Sequence, residues 1–328
     1  MANKMSRRGI LGSLVGAAGT GAVLKAGVSR TVDRPLFGAH DAGVMSVRGE
    51  VDLKEFNPSK FLYEFDYGRV SQLSDGRILR EWEIVALDKE IEVAPGVYFP
   101  AWTYNGQVPG PTLRCTEGDH LRIHFSNVGS HAHTIHFHGF HPAEMDGVFE
   151  VVHPGETFVY EFDAEPFGLH LYHCHTVPLK RHIHKGLYGA FIVDPPKKRP
   201  LAHEMVMIMN GFDTNFDGEN EIYAVNTVAF HHHRYPIEVK LGELVRIYLV
   251  NALEFDAINS LHIHGNFFQV YRTGTHLAPD EFTDTVMMCQ GERHILELKF
   301  RNEGKFMFHA HQSEFAELGW MGFFKVKL

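Results

Sequence analysis

The segment Gly118-Asp-His-Leu-Arg-Ile-His-Phe-Ser-Asn127 returns later in the chain as Gly242-Glu-Leu-Val-Arg-Ile-Tyr-Leu-Val-Asn251. Each copy is a run of branched and aromatic residues entered through a Gly-acidic turn, which predicts a β-strand. Each leads on to a His-x-His-Gly, at 136–139 and at 262–265, and then to a second His-x-His, at 173 and at 309. Each half closes on a glycine and an apolar strand, Gly189-Ala-Phe-Ile-Val193 and Gly322-Phe-Phe-Lys-Val326. Asp194-Pro-Pro-Lys-Lys-Arg-Pro200 lies between the halves and reads as a linker from its proline and charge. A duplicated chain must fold the same way twice. Short strands, frequent Gly/Pro turns and no long helical period predict an all-β protein of two sandwiches or barrels in tandem. The 328 residues suit two domains of ordinary size, and 44% hydrophobic residues suffice for their cores.

The pairs 136/138, 173/175, 262/264 and 309/311 are all His-x-His. Side chains two apart on a strand share a face, so each pair offers two imidazoles in one direction. Between His173 and His175, Cys174 points the other way. Thiolate and imidazole both suit copper, so His-Cys-His can hold one metal behind the strand and others in front, joined by a few covalent bonds. Eight such imidazoles serve about three metal ions with positions left open for a small molecule.

Net charge is −9, and the only basic block is Lys197-Lys198-Arg199. That excludes nucleic acid as an expected partner. Ser6-Arg7-Arg8-Gly9 precedes a small-residue apolar stretch reaching Leu24. A twin arginine in this setting resembles a Tat export signal, and the stretch is too short and Gly/Ala-rich for a membrane span. Periplasmic or extracellular location is the expectation. Cys115 and Cys289 lie in different halves; they could pair in an oxidising compartment, but two buried free thiols are the preferred reading.

Tyr104-Asn-Gly-Gln-Val-Pro-Gly-Pro-Thr-Leu113 followed by Gly118-Asp119 resembles the opening strands of multicopper oxidases. His133-x-x-His136-x-His138-Gly139 resembles their HxxHxHG motif, and Tyr172-His-Cys-His175 their HCH motif. The resemblance spans roughly residues 80 to 328. It implies two cupredoxin-like Greek-key domains: 79–196 and 197–328, after a signal segment 1–26 and an arm 27–78. It further implies a type 1 copper on His133, Cys174 and His182, with Leu187 at the axial position and not ligating. His136 and His262 would hold a type 2 copper. His138, His173, His175, His264, His309 and His311 would hold a type 3 pair, giving about four copper ions per chain. The family's second type 1 histidine stands five residues after the cysteine, where this chain has Leu179. His182 is preferred because it keeps the spacing to Leu187 and Gly189, and His184 is the competing candidate. In the second half Asn259, Ala310, Phe315 and Trp320 stand opposite His133, Cys174, His182 and Leu187, so only the first domain would carry a type 1 site.

Asp146 resembles the family's acid beside the type 2 copper, though an Asp before Gly is also common in turns. Glu314 and Glu317 are weaker acids by proximity. His231-His-His233 reads as a surface loop, and Met205, Met207 and Met209 as one core-facing side of a strand. The expected activity is that of a laccase-like oxidase, which couples one-electron oxidation of a phenolic, metal-ion or protein reductant to reduction of dioxygen to water. Cys174 would pass electrons to His173 and His175, and the resemblance favours a homotrimer with clusters shared between chains. A copper nitrite reductase and a copper carrier or store are the alternatives.

Overall fold

The computed structural model describes residues 49–328. The twin-arginine segment and the start of the arm lie outside them. Residues 49–78 contribute a short helix α1 (Pro58–Phe61) and an edge strand β1 (Arg69–Gln72). Asn57 caps α1, its side chain accepting the Ser59 N–H at 2.9 Å.

The first domain continues with β2 (Ile78–Ala94), β3 (Val97–Tyr104), β4 (Leu113–Thr116), β5 (His120–Asn127), β6 (His136–Phe137), β7 (Thr157–Asp163), β8 (Gly168–His173), helix α2 (Leu179–His184) and β9 (Tyr188–Asp194). One sheet runs β1-β2-β5-β7 with β3 beside β2; the facing sheet runs β4-β9-β8-β6. The second domain has β10 (His203–Phe212), β11 (Ile222–Val225), helix α3 (His231–Arg234), β12 (Ile237–Lys240), β13 (Val245–Asn251), β14 (Ile258–Ile263), β15 (Phe268–Arg272), β16 (Glu281–Thr283), β17 (Thr285–Cys289), β18 (Arg293–Leu298), β19 (Gly304–His309), helix α4 (Ser313–Glu317) and β20 (Met321–Lys327). Its sheets run β11-β10-β13-β18-β15-β16 and β12-β20-β19-β14-β17. Parallel pairs β2·β5 and β4·β9 recur as β10·β13 and β12·β20. The internal sequence repeat is therefore a repeat of Greek-key topology, and the fold is all-β with two cupredoxin-like sandwiches in tandem.

Alternation explains the cores. Along β5 buried and half-buried residues alternate, as expected for a strand with one face covered. β10 is buried on both faces. Met205, Met207 and Met209 enter the second domain's core, while Val206 and Ile208 join a layer with Phe99, Leu171, Ala190 and Ile192 of the first domain. Beside that layer, Arg114 bonds both Asp194 (2.8 Å) and Glu204 (2.7 Å), and Arg246 bonds Glu204 (2.7 Å) and Glu297 (2.7 Å). The two sandwiches are thus joined by shared apolar packing and an ion network.

Two sequence readings are corrected. His231–His233 is a short helix, not a surface loop, with His231 and His232 buried. Gly322 makes this possible: a Cβ there would come within 2.6 Å of the His232 Cβ. Cys115 is buried as expected, but Cys289 is exposed; both are free thiols. No helix among the described residues is long and apolar enough to cross a membrane.

Candidate metal centres

β8 ends at His173, and the next residue turns inward. The Cys174 N–H donates to the Leu187 carbonyl at 3.0 Å, which fixes the sulfur beneath the sheet. There Sγ lies 3.3 Å from Nδ1 of His182 and 4.0 Å from Nδ1 of His133, and the two nitrogens are 3.2 Å apart. His133 is held by reciprocal backbone bonds with Val152, and His182 by α2. All three side chains are buried. Burial pulls both imidazoles down to about 4, with the neighbouring histidines adding to the effect, so each is neutral and has a lone pair to offer. The Thr134 N–H points at the sulfur at 3.4 Å. Two imidazoles and a thiolate converging in a dry pocket are the donor set of a blue-copper site, so these residues fit the metal. Leu187 is fully buried and packs in the same core cluster as Cys174. His184 is not part of this group; its Nε2 accepts the Asp213 N–H at 2.9 Å.

On the opposite face of β8, His173 pairs in register with His136 of β6. Nδ1 of His136 lies 2.7 Å from the Asp146 carbonyl oxygen, and Nδ1 of His173 3.0 Å from that of Cys174. A carbonyl only accepts, so both rings carry their proton on Nδ1 and present Nε2 outward. Nε2 of His138 comes within 3.2 Å of Nε2 of His173. The His136 and His175 ring centres are 5.4 Å apart, and the His175 N–H donates to Thr134 Oγ1 at 2.9 Å.

The second domain repeats the backbone bonds and the histidine pairing of this arrangement. His262 pairs with His309 across β14 and β19. Nδ1 of His262 donates to the Asp284 carbonyl at 2.8 Å, and Nδ1 of His309 to that of Ala310 at 2.6 Å. Nε2 of His264 and His309 are 3.0 Å apart, and the His311 N–H donates to Ser260 Oγ at 2.7 Å. Among the described residues no hydrogen bond or ring contact joins one histidine quartet to the other. The second domain's counterpart of the Cys174 pocket is closed: Asn259, Ala310, Phe315 and Trp320 are all buried, and the Ala310 N–H donates to the Trp320 carbonyl at 3.2 Å.

Asp146 stands where an acid would meet the first quartet. Its carboxylate is 3.2 Å from Nδ1 of His136 and 3.6 Å from Nε2 of His141. Sequence reading missed His141, Thr134 and Ser260, and also Asp284, which holds His262 as Asp146 holds His136. The only sequence signal for Thr134 and Ser260 was a hydroxyl residue two before the first histidine of each His-x-His. Glu314 and Glu317 lie in α4.

Two family profiles described as multicopper oxidase match residues 87–198 and 198–328. The chain belongs to the multicopper oxidase family, and is therefore an oxidoreductase of a copper-binding kind. It is similar to a crystal structure of a multicopper oxidase at 60% identity and TM-score 0.82, covering 83% of this chain and 97% of the other. The blue copper oxidase of Nitrosomonas europaea matches at 30% identity and TM-score 0.68, over 76% of this chain and 86% of that one. The copper-containing nitrite reductase of Neisseria meningitidis is 29% identical over 246 residues, 69% of this chain, and the chain spans 63% of that relative's length.

Proposed function

We propose that this chain is a laccase-like oxidase that takes electrons singly from a reductant at the His133–Cys174–His182 site and delivers them to dioxygen, giving water. Four copper ions per chain, one mononuclear and three clustered, would supply the redox chemistry. The protein's part is positional. Nδ1–H bonds to backbone carbonyls keep Nε2 of His136, His173, His262 and His309 aimed outward. Cys174 lies between His173 and His175 in sequence, so a covalent path of a few bonds runs from the sulfur to the quartet face. Burial keeps water from the sulfur. Asp146, beside His136 and His141, is the group suited to hand protons to reduced oxygen, since each dioxygen consumes four.

One observation carries this reading: eight imidazoles in two matched quartets, with no hydrogen bond or ring contact between the quartets among the described residues. Neither quartet alone completes a three-metal cluster, and the shared apolar layer keeps the two sandwiches from turning toward each other. A first-domain quartet facing a second-domain quartet of the next chain resolves this, and head-to-tail contacts that close make a ring, here a homotrimer. Exposed aromatics suit such contacts: Phe140 and Phe149 near the first quartet are 65% and 84% exposed, Phe267 and Phe282 near the second 53% and 60%. The test mixes two inactive variants, one lacking His136 and His138, the other lacking His309 and His311. Co-refolding should restore oxygen uptake through hybrid clusters; no recovery, or a fully active monomer, would reject the shared cluster.

The similarity to nitrite reductases supports a second reading. It leaves the second quartet's His-x-His pairs and His175 without use. Copper content separates the cases: about four ions per chain for the oxidase, about two for the reductase and about one for a carrier. Export through the twin-arginine segment is part of the proposal and is tested by replacing Arg7 and Arg8 with Lys and following secretion.

A further inference from the structure

The linker between the sandwiches carries the basic block Lys197-Lys198-Arg199, to which the oxidase reading gives no role. The block borders a cavity of about 380 Å³. Its wall holds Arg114 and Asp194 from the first domain, Lys198 and Arg199 from the linker, and Glu204 and Arg246 from the second domain. This volume suits a small polar molecule. Both signs of charge line the wall, so the ligand it prefers depends on which charges are already paired.

The carboxylates are fully committed. Both Asp194 oxygens accept from Arg114, at 2.8 and 2.9 Å. One Glu204 oxygen accepts from Arg114 at 2.7 Å; the other accepts from Arg246 at 2.7 Å and from the Tyr248 hydroxyl at 2.8 Å. Glu297, beside Arg246, accepts from it at 2.7 Å and from the Tyr271 hydroxyl at 3.1 Å. Four cations thus meet three carboxylates. Among the described residues neither Lys198 nor Arg199 is in an ion pair, so the surplus positive charge falls on them.

Arg199 is already oriented. Its Nη2 donates to the carbonyls of Gly274 (2.8 Å) and His276 (3.0 Å), and its guanidinium lies 4.8 Å over the Tyr271 ring. These contacts fix the plane of the group and leave its Nε and Nη1 donors unspent. Burial pulls the Arg199 pKa below its ordinary value; Arg246 adds to the effect and Glu297 opposes it. Two guanidinium groups therefore crowd one corner, and Arg246 is only 2% exposed. An anion placed between them relieves that repulsion.

We propose that this cavity binds a phosphate dianion, free or as a phosphate monoester, on Arg199 and Lys198 at the junction of the two domains. A planar guanidinium fork matches an oxyanion in bidentate fashion, and two unpaired cations favour a dianion over chloride. The site needs no copper and stands apart from the oxidase reading. Its walls come from both sandwiches and from the linker, so a bound phosphate braces all three.

The test titrates inorganic phosphate and glycerol 3-phosphate calorimetrically into the full copper-loaded chain, with chloride at the same ionic strength as the control. At least one phosphate should bind about tenfold or more tighter than chloride; whichever binds tighter names the source. Arg199→Gln should weaken phosphate about tenfold. Lys198 is exposed, so Lys198→Gln should fold normally and, with solvent screening, weaken phosphate about threefold. Saturating phosphate should also raise the melting temperature of the parent chain more than that of either variant. Equal binding of phosphate and chloride overturns the proposal. So does phosphate affinity unchanged in Lys198→Gln, which would place the anion elsewhere, including at the metal centres.

Discussion

Asp146 and Asp284 occupy matching positions in the two domains, the carbonyl of one 2.7 Å from Nδ1 of His136 and that of the other 2.8 Å from Nδ1 of His262. Their carboxylates differ. That of Asp146 faces His136 and His141, whereas that of Asp284 accepts the Thr285 hydroxyl at 3.0 Å. The backbone contact recurs in both domains, while the Asp146 carboxylate meets two histidine rings where that of Asp284 meets a hydroxyl. Asp146→Asn should therefore lower kcat by about 100-fold and distort its pH profile. Asp284→Asn should stay within about twofold. Steady-state oxygen uptake across pH compares them, and equal losses would remove Asp146 from the proton path.

Cys174→Ser should abolish the intense blue absorption, which needs a copper–thiolate bond. His182→Ala should do the same. His184→Ala should keep the colour while losing about 1 kcal/mol of stability with its bond to the Asp213 N–H. A blue His182 variant would reassign the ligand.

Leu187→Met should lower the reduction potential of the mononuclear site by adding a weak axial ligand. The two side chains have similar volume, so stability should change by less than about 1.5 kcal/mol. A redox titration with unchanged potential would show that Leu187 does not lie over the metal.

Burial raises the Glu254 carboxyl to about 7, with Lys180 opposing. A carboxyl raised on folding contributes stability that is present below its unfolded value near 4.5 and lost as pH rises through about 7. Glu254→Gln should thus stabilise the protein at pH 8 by on the order of 1 kcal/mol after solvent screening, read as a higher melting temperature, and change little at pH 4. A gain equal at both pH values would contradict this.

The quartets could be read from the chain because a strand's period of two sets alternate residues on one face, and the repeat showed the pattern twice. The spacing from His182 to Leu187 is likewise local, since both lie in or just after α2. Asp284 was hidden because it meets His262 through the pairing of β14 with β17, after an intervening hairpin that no spacing rule reports. The burial of His231 and His232 was hidden because three consecutive histidines look solvated, and the room for them comes from a missing side chain ninety residues away at Gly322.

β10 gives its methionines to one core and Val206 and Ile208 to the layer it shares with the first domain. Neither domain owns that layer. Separated at Pro196, each would present a broad apolar face to water and be prone to aggregation. Heating the intact chain should accordingly produce one calorimetric transition rather than two. The duplicated halves, alike in topology, have become a single unit of folding.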